Sequence, residues 1–191
     1  PFTHRDLQEW LALLAGRPDR AAVAWLASTV LACGADFLVW WRPARVGPMG
    51  FLLQGQRFGV RVPWPPLLFV ARDQRLWCAA LAEDAGPEPE TPLFHAPLMN
   101  VDTNGQVCLG TADVPPDGTL AYRADWEAAL CATNFTHVNH RQMLHVPGAC
   151  EVGTEAHFAF WQRQHERARF PTDALVPWRS TGPRWVEAVL G

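Results

Sequence analysis

Between Phe37 and Leu81 the apolar residues come in short runs, and that spacing constrains the fold of the 191-residue chain more than any other feature. The runs are Phe37–Trp41, Phe51–Leu53, Phe58–Val62, Leu67–Ala71 and Leu76–Leu81. Turn signals separate them at Pro43, Gly47-Pro48, Gly55, Pro63, Pro65-Pro66 and Arg72-Asp73-Gln74. Apolar runs too short for helices and bounded by proline and glycine read as strands, here an antiparallel meander. Helical patterns flank it. Upstream, Thr3 and Asp6 resemble a capping box before a stripe of Leu7, Trp10, Leu11 and Leu14 that stops at Gly16 and Pro18. A second helix is predicted after Asp19, through Ala21–Leu26 to about Ala32, with Gly34 as its stop. Downstream, helices are predicted over Asp125–Ala132 and Glu155–Arg169. Strands grouped together, with helices before and after, point to the α+β class rather than a doubly wound sheet. The expected organisation is one domain over 1–191, with N-terminal helices in 1–35, the sheet and a candidate site in 36–110, and loops and helices in 111–191.

Composition narrows the function. A chain that is 49% hydrophobic with 10 Trp can bury a substantial core. A net charge of −3 offers no broad cationic surface, so nucleic-acid binding is not expected. The five cysteines, at 33, 78, 108, 131 and 150, are dispersed, with no Cys-x-x-Cys pair, which suits reduced thiols in cytoplasm. The longest uncharged apolar run, from Ala21 to Asp36, is shorter than the ~20 residues of a membrane helix. All 16 basic residues are arginine; a GC-rich genome accounts for that, and it also leaves no side-chain amine on the chain.

Chemistry concentrates in His95–Gly110, where Asn100 and Cys108 flank Asn104-Gly105. A three-residue loop, Thr103-Asn104-Gly105, would pair Asp102 with Gln106, Val101 with Val107 and Asn100 with Cys108. A two-residue Asn-Gly loop would instead oppose Cys108 to Val101 and turn Asn100 to the other face. A thiol beside a carboxamide, without an obligatory base, suits acyl carriage: the thiolate takes an acyl group as a thioester and leaves when an amine attacks. The carboxamide would stabilise the developing oxyanion or fix the loop.

This segment resembles the active-site signature of ubiquitin-conjugating enzymes, in which a His-Pro-Asn stretch precedes a Gly-containing turn, an aliphatic residue, the acceptor Cys and Leu. Asn100, Gly105, Val107, Cys108 and Leu109 fit, whereas Ala96 separates His95 from Pro97 and Leu98-Met99 precede Asn100. Among bacterial members the chain is most similar to protein B of the PRTRC systems, through Gly55–Phe58 to Val62–Pro66, His95–Gly110 and Asn134–Asn139. There Val138 stands where that group carries proline. The resemblance implies a ubiquitin-conjugating-like fold with an N-terminal helical extension, and an enzyme that accepts a ubiquitin-like C-terminus on Cys108 from an adenylating activating enzyme. It also implies a JAB-type isopeptidase as a further partner, and no cofactor. The structural role of the family histidine falls to His95, and His137 and Asn139 are expected to support the site's loops. A non-catalytic binding module of the same fold and a Cys-His hydrolase using Cys108 and His137 are the alternatives.

Other candidates are weaker. Glu83–Glu90 is read as a solvated connector. The loop Thr111–Gly118 follows the thiol, so Asp113 or Asp117 would orient an amine or accept its proton, unless they only build turns. His137, His140, His145 and Cys150 follow a His-x2-His-x4-His-x4-Cys spacing that matches no zinc signature, and no metal is expected.

Overall fold

A computed structural model describes residues 26–110 and 112–191. Nine strands and three α-helices occur among the described residues: β1 (Val30–Cys33), β2 (Phe37–Arg42), β3 (Arg45–Leu53), β4 (Gln56–Trp64), β5 (Leu67–Arg72), β6 (Arg75–Ala80), β7 (Pro92–His95), α1 (Arg123–Ala132), β8 (Asn134–Phe135), α2 (Thr154–Arg163), β9 (Pro177–Thr181) and α3 (Gly182–Leu190).

The apolar runs fold as strands, but Gly47-Pro48, read as a turn, lies inside β3 and Pro63 inside β4, where the two strands pair from Arg45↔Trp64 to Leu53↔Gln56, and the strands do not form one meander. β2 pairs with β5 from Phe37↔Arg72 to Arg42↔Leu67, and the β3–β4 hairpin leaves the plane between them. The larger sheet therefore runs β1-β2-β5-β6-β7-β9, antiparallel throughout, and the smaller runs β4-β3-β8. Pro43 and Pro65-Pro66 stand where the chain leaves and re-enters the larger sheet, places where a missing N–H breaks a ladder. Two-residue turns join β3 to β4 at Gln54-Gly55 and β5 to β6 at Asp73-Gln74. All four residues have positive φ, the backbone of hairpin turns that follow the strand twist.

Side-chain alternation along β5 sorts the core into two layers. Leu67, Phe69 and Ala71 face one layer with Trp40, where Trp40 stacks on Phe69 at 5.0 Å, together with Trp64, Trp126 and Trp161. Leu68 and Val70 face the other, against Trp185 of α3. A strand buried on both faces reads as a continuous apolar run, as Leu67–Ala71 does. The helices dock by residues one turn apart: Trp126, Ala129 and Leu130 on α1; His157, Phe160 and Trp161 on α2.

Two further expectations change. The first N-terminal helix, and the second as far as residue 25, lie outside the described residues. From residue 26 the second helix is overturned: Val30–Cys33 is an edge strand paired with β2, and Gly34 N–H bonds the Phe37 carbonyl. β2's outer edge needs partners for its backbone groups, and the apolar run supplies them. The helix predicted to Arg169 ends at Arg163, because Glu166 adopts φ 60° and donates its N–H to the Arg61 carbonyl. The α3 helix had no sequence expectation; Pro183 in its first turn was the available signal. Glu83–Glu90 forms no regular element and is largely exposed, with Asp84 accepting the Ala44 N–H at 2.7 Å. No helix among the described residues is long and apolar enough to cross a membrane.

Candidate functional site

The hairpin after β7 adopts the three-residue loop. Asp102 N–H bonds the Gln106 carbonyl at 3.0 Å, Val101 pairs with Val107, and Cys108 N–H bonds the Asn100 carbonyl at 2.7 Å. Local chemistry dictates this turn. The Asp102 carboxylate accepts the Asn104 and Gln106 N–H groups at 2.8 and 2.9 Å, and Gly105 takes φ +83°, a conformation that side chains penalise. The hairpin docks on β6, with Cys78 N–H to the Gly105 carbonyl and Val107 N–H to the Leu76 carbonyl, both 2.8 Å. Trp185 of α3 closes its tip by donating to the Asn104 carbonyl at 3.3 Å.

Alternation along this arm buries Val107 and Leu109 and leaves Cys108 exposed between them. The Leu109 carbonyl accepts the buried Thr133 hydroxyl at 3.2 Å, so the residue after the thiol is also held. Cys78, in contrast, is sealed in the core, and burial pushes its thiol up to about 12.

Asn100 is 5% exposed and sits at φ 59°, a left-handed position that asparagine tolerates. Its Oδ1 accepts the Thr136 N–H at 3.1 Å, the Thr136 hydroxyl at 3.0 Å and the His137 N–H at 3.4 Å. Its Nδ2 donates one hydrogen to the Asn134 carbonyl at 3.2 Å, and its own N–H reaches the His137 carbonyl at 3.0 Å. The carboxamide thus fastens the hairpin to the segment that follows β8.

An open groove of about 800 Å³ runs beside the sulfur. Cys108 and Asn100 line it on one side, the 112–116 loop with Asp113 on another, and Tyr122, Asp125, Ala128, Ala129 and Ala132 of the α1 region on a third. The alanines keep it open.

Of the residues singled out from sequence, Cys108, Asn100 and Asp113 share this groove; His95, Asp117, His137 and Asn139 do not line it. Asp117 builds a turn, accepting the Thr119 N–H at 2.9 Å, while its carbonyl takes the Trp126 indole N–H at 3.0 Å. His95 stacks on Trp178 at 4.7 Å and meets the edge of His140 at 4.4 Å. Burial, then the neighbouring His140, lowers its pKa to about 4, leaving a neutral ring behind the hairpin. His137 holds the site through its backbone, its Nδ1 lying 2.8 Å from the Thr136 hydroxyl; among the described residues no hydrogen bond joins it to Cys108. Asn139 is exposed. No cluster of three or more His, Cys, Asp or Glu able to hold a metal occurs among the described residues. Sequence reasoning gave no role to Thr133, Thr136 or Asp125; Thr136 lay within the Asn134–Asn139 stretch, and nothing local marked the others.

A family model described as prokaryotic E2 family D matches residues 6–178. No curated protein and no solved structure matches the chain. The family match runs over most of the 191 residues and covers the groove, the exposed thiol and the hairpin that carries it, and so the chain belongs to prokaryotic E2 family D.

Proposed function

We propose that the protein is a ubiquitin-like conjugating enzyme. Cys108 accepts a ubiquitin-like C-terminus from the thioester of an adenylating activating enzyme and passes it to an amine. The observation that carries this reading is an exposed thiol on the rim of an open groove of about 800 Å³, held by hydrogen bonds on both sides. Such a groove suits an extended peptide tail, and the fixed backbone lowers the entropy of bringing sulfur to carbonyl.

In the loading step the Cys108 thiolate attacks the incoming thioester carbonyl, and the activating enzyme's thiolate leaves. In the transfer step an amine attacks the Cys108 thioester, Cys108 leaves as thiolate, and a base takes the amine's proton. Asn100 Nδ2 has a second hydrogen beyond the one given to Asn134, and in this reading it meets the oxyanion. Asp113 or Asp125, both on the groove, receives the proton. His95, His137 and Asn139 support the hairpin and the segment behind it. The resemblance to PRTRC protein B gives the finer assignment, with a JAB-type isopeptidase as the reversing partner.

Incubation with ATP, the cognate activating enzyme and the ubiquitin-like protein tests the reading on non-reducing and reducing gels. A thiol-sensitive adduct lost in Cys108→Ala and turned into a thiol-resistant ester in Cys108→Ser is expected. Binding of the ubiquitin-like protein without any adduct would establish a non-catalytic module instead, a reading favoured only by the engagement of the Asn100 carboxamide with Thr136 and Asn134.

A further inference from the structure

On the side of α1 turned toward β2, a second sulfur has an unusual environment. Arg42, only 5% exposed, lies between the rings of Trp64 and Phe69, 5.1 and 5.5 Å from their centroids. A buried guanidinium needs acceptors for its donors. Arg42 Nη1 donates to Cys131 Sγ at 3.3 Å, while Nε and Nη2, also buried, have no partner. Arg45, exposed, donates to the same sulfur from Nη2 at 2.8 Å. The nearby Glu127 carboxylate accepts the Trp40 indole N–H at 3.0 Å. Two cations therefore converge on one partly exposed sulfur, and the buried one keeps unmet donors beside it.

We propose that Cys131 is a second reactive thiol, oxidised by hydroperoxides to a sulfenate whose oxygen Arg42 and Arg45 hold. Cations within hydrogen-bond distance stabilise negative charge on sulfur, the form that attacks a peroxide. The sulfur bonds to the nearer peroxide oxygen as the O–O bond breaks. Sulfur loses two electrons, and the departing oxygen takes the proton released by the oxygen now bonded to sulfur and leaves as water or an alcohol. The new S–O group carries acceptor lone pairs toward Arg42, whose unmet N–H groups then gain a partner. Exposure of Arg45 gives the oxidant its approach. The inference does not rest on the role proposed for Cys108.

The test treats the folded full chain with hydrogen peroxide in the presence of a cyclic 1,3-diketone that traps sulfenic acid, followed by trypsin and peptide mass spectrometry. Cleavage after arginine isolates Cys131 in residues 124–141, apart from Cys33 in 21–45 and Cys150 in 142–163. Those two cysteines are exposed and accept no guanidinium hydrogen bond among the described residues. Trapping at Cys131 is expected to be about tenfold faster than at either of them. Arg45→Gln, which alters an exposed side chain and leaves the buried Arg42 in place, is expected to slow trapping at Cys131 several-fold, with Cys33 then read from residues 21–57. Trapping at Cys131 no faster than at Cys33 and Cys150, or unchanged by Arg45→Gln, would overturn the proposal.

Discussion

Asn100 and Cys108 lie across the hairpin from each other, joined by the 2.7 Å bond from the Cys108 N–H to the Asn100 carbonyl, while the Asn100 side chain bonds Thr136 and Asn134. One residue thus fixes the sulfur through its main chain and the groove wall through its carboxamide. Asn100→Gly separates these roles, because glycine accepts φ 59° and lacks only the carboxamide. Thioester loading is expected to persist, and single-turnover transfer to an amine to slow by about 100-fold or more. Equal transfer rates would remove the oxyanion role and leave Asn100 as a fastening.

Gly105 and Gly148 share φ +83° but not their surroundings. A Cβ on Gly148 meets nothing within 4 Å, whereas one on Gly105 comes to 2.9 Å from the Cys78 carbonyl and 3.0 Å from the Trp178 ring. Gly148→Ala is expected to lose about 1 kcal/mol from backbone strain alone. Gly105→Ala adds an overpacking penalty of about 1–3 kcal/mol and shifts the hairpin that carries Cys108. Urea unfolding of the two variants side by side measures the difference.

Stability should fall with acid well above the carboxylate range. His157 is fully buried on α2, and burial lowers its pKa to about 3, opposed by the Pro97 carbonyl. Above pH 6.5 the ring is neutral both folded and unfolded, so it contributes no pH dependence. Below that, the unfolded chain takes up a proton that the folded chain refuses, and stability drops by about 1.4 kcal/mol per pH unit until the folded pKa is reached. His95, lowered to about 4, acts in the same direction. Between pH 6.5 and 5, His157 alone is expected to remove about 2 kcal/mol. A His157→Phe variant whose stability slopes as steeply over this window would refute the assignment.

Asp113 and Asp117 lie four residues apart in one loop yet have different surroundings: the first lines the groove, the second caps a turn. Asp117→Asn keeps the acceptor and is expected to leave both stability and transfer unchanged, while Asp117→Ala lowers stability by about 1 kcal/mol. Asp113→Asn should slow amine transfer most at low pH, where the acceptor amine is protonated and a base matters most. A rate–pH profile for transfer that overlays the wild-type curve would take Asp113 out of the reaction.

Legibility in the sequence tracked the distance over which each feature is decided. Of the two registers the sequence left open, the Asn100–Cys108 one is decided by Asp102, Asn104 and Gly105, all within the hairpin. Strands β2, β5 and β6 could be read for the same reason, from apolar runs and the residues that end them, whereas β3 and β4 run on through Gly47-Pro48 and Pro63, which looked like turns. The pairing of β2 with β5 could not, since nothing in either strand tells that 43–66 will fold away from the sheet between them. Val30–Cys33 looked helical because a short apolar run has no period of its own, and the open edge of β2 decided the matter. At the site the thiol was visible, whereas the Thr136 fastening lies 36 residues from Asn100 and the Thr133 bond 24 from Leu109. Arg42 and Cys131 are 89 apart, and no local pattern links them.

The hairpin bearing Cys108 hangs from β6 of the larger sheet, and the segment gripped by Asn100 begins at β8 of the smaller. The carboxamide is accordingly a seam between two separately built slabs. With the Thr133–Leu109 bond and the Asn100 N–H to the His137 carbonyl, it stitches the two sheets together beside the sulfur, where their shared core reaches the rim of the groove.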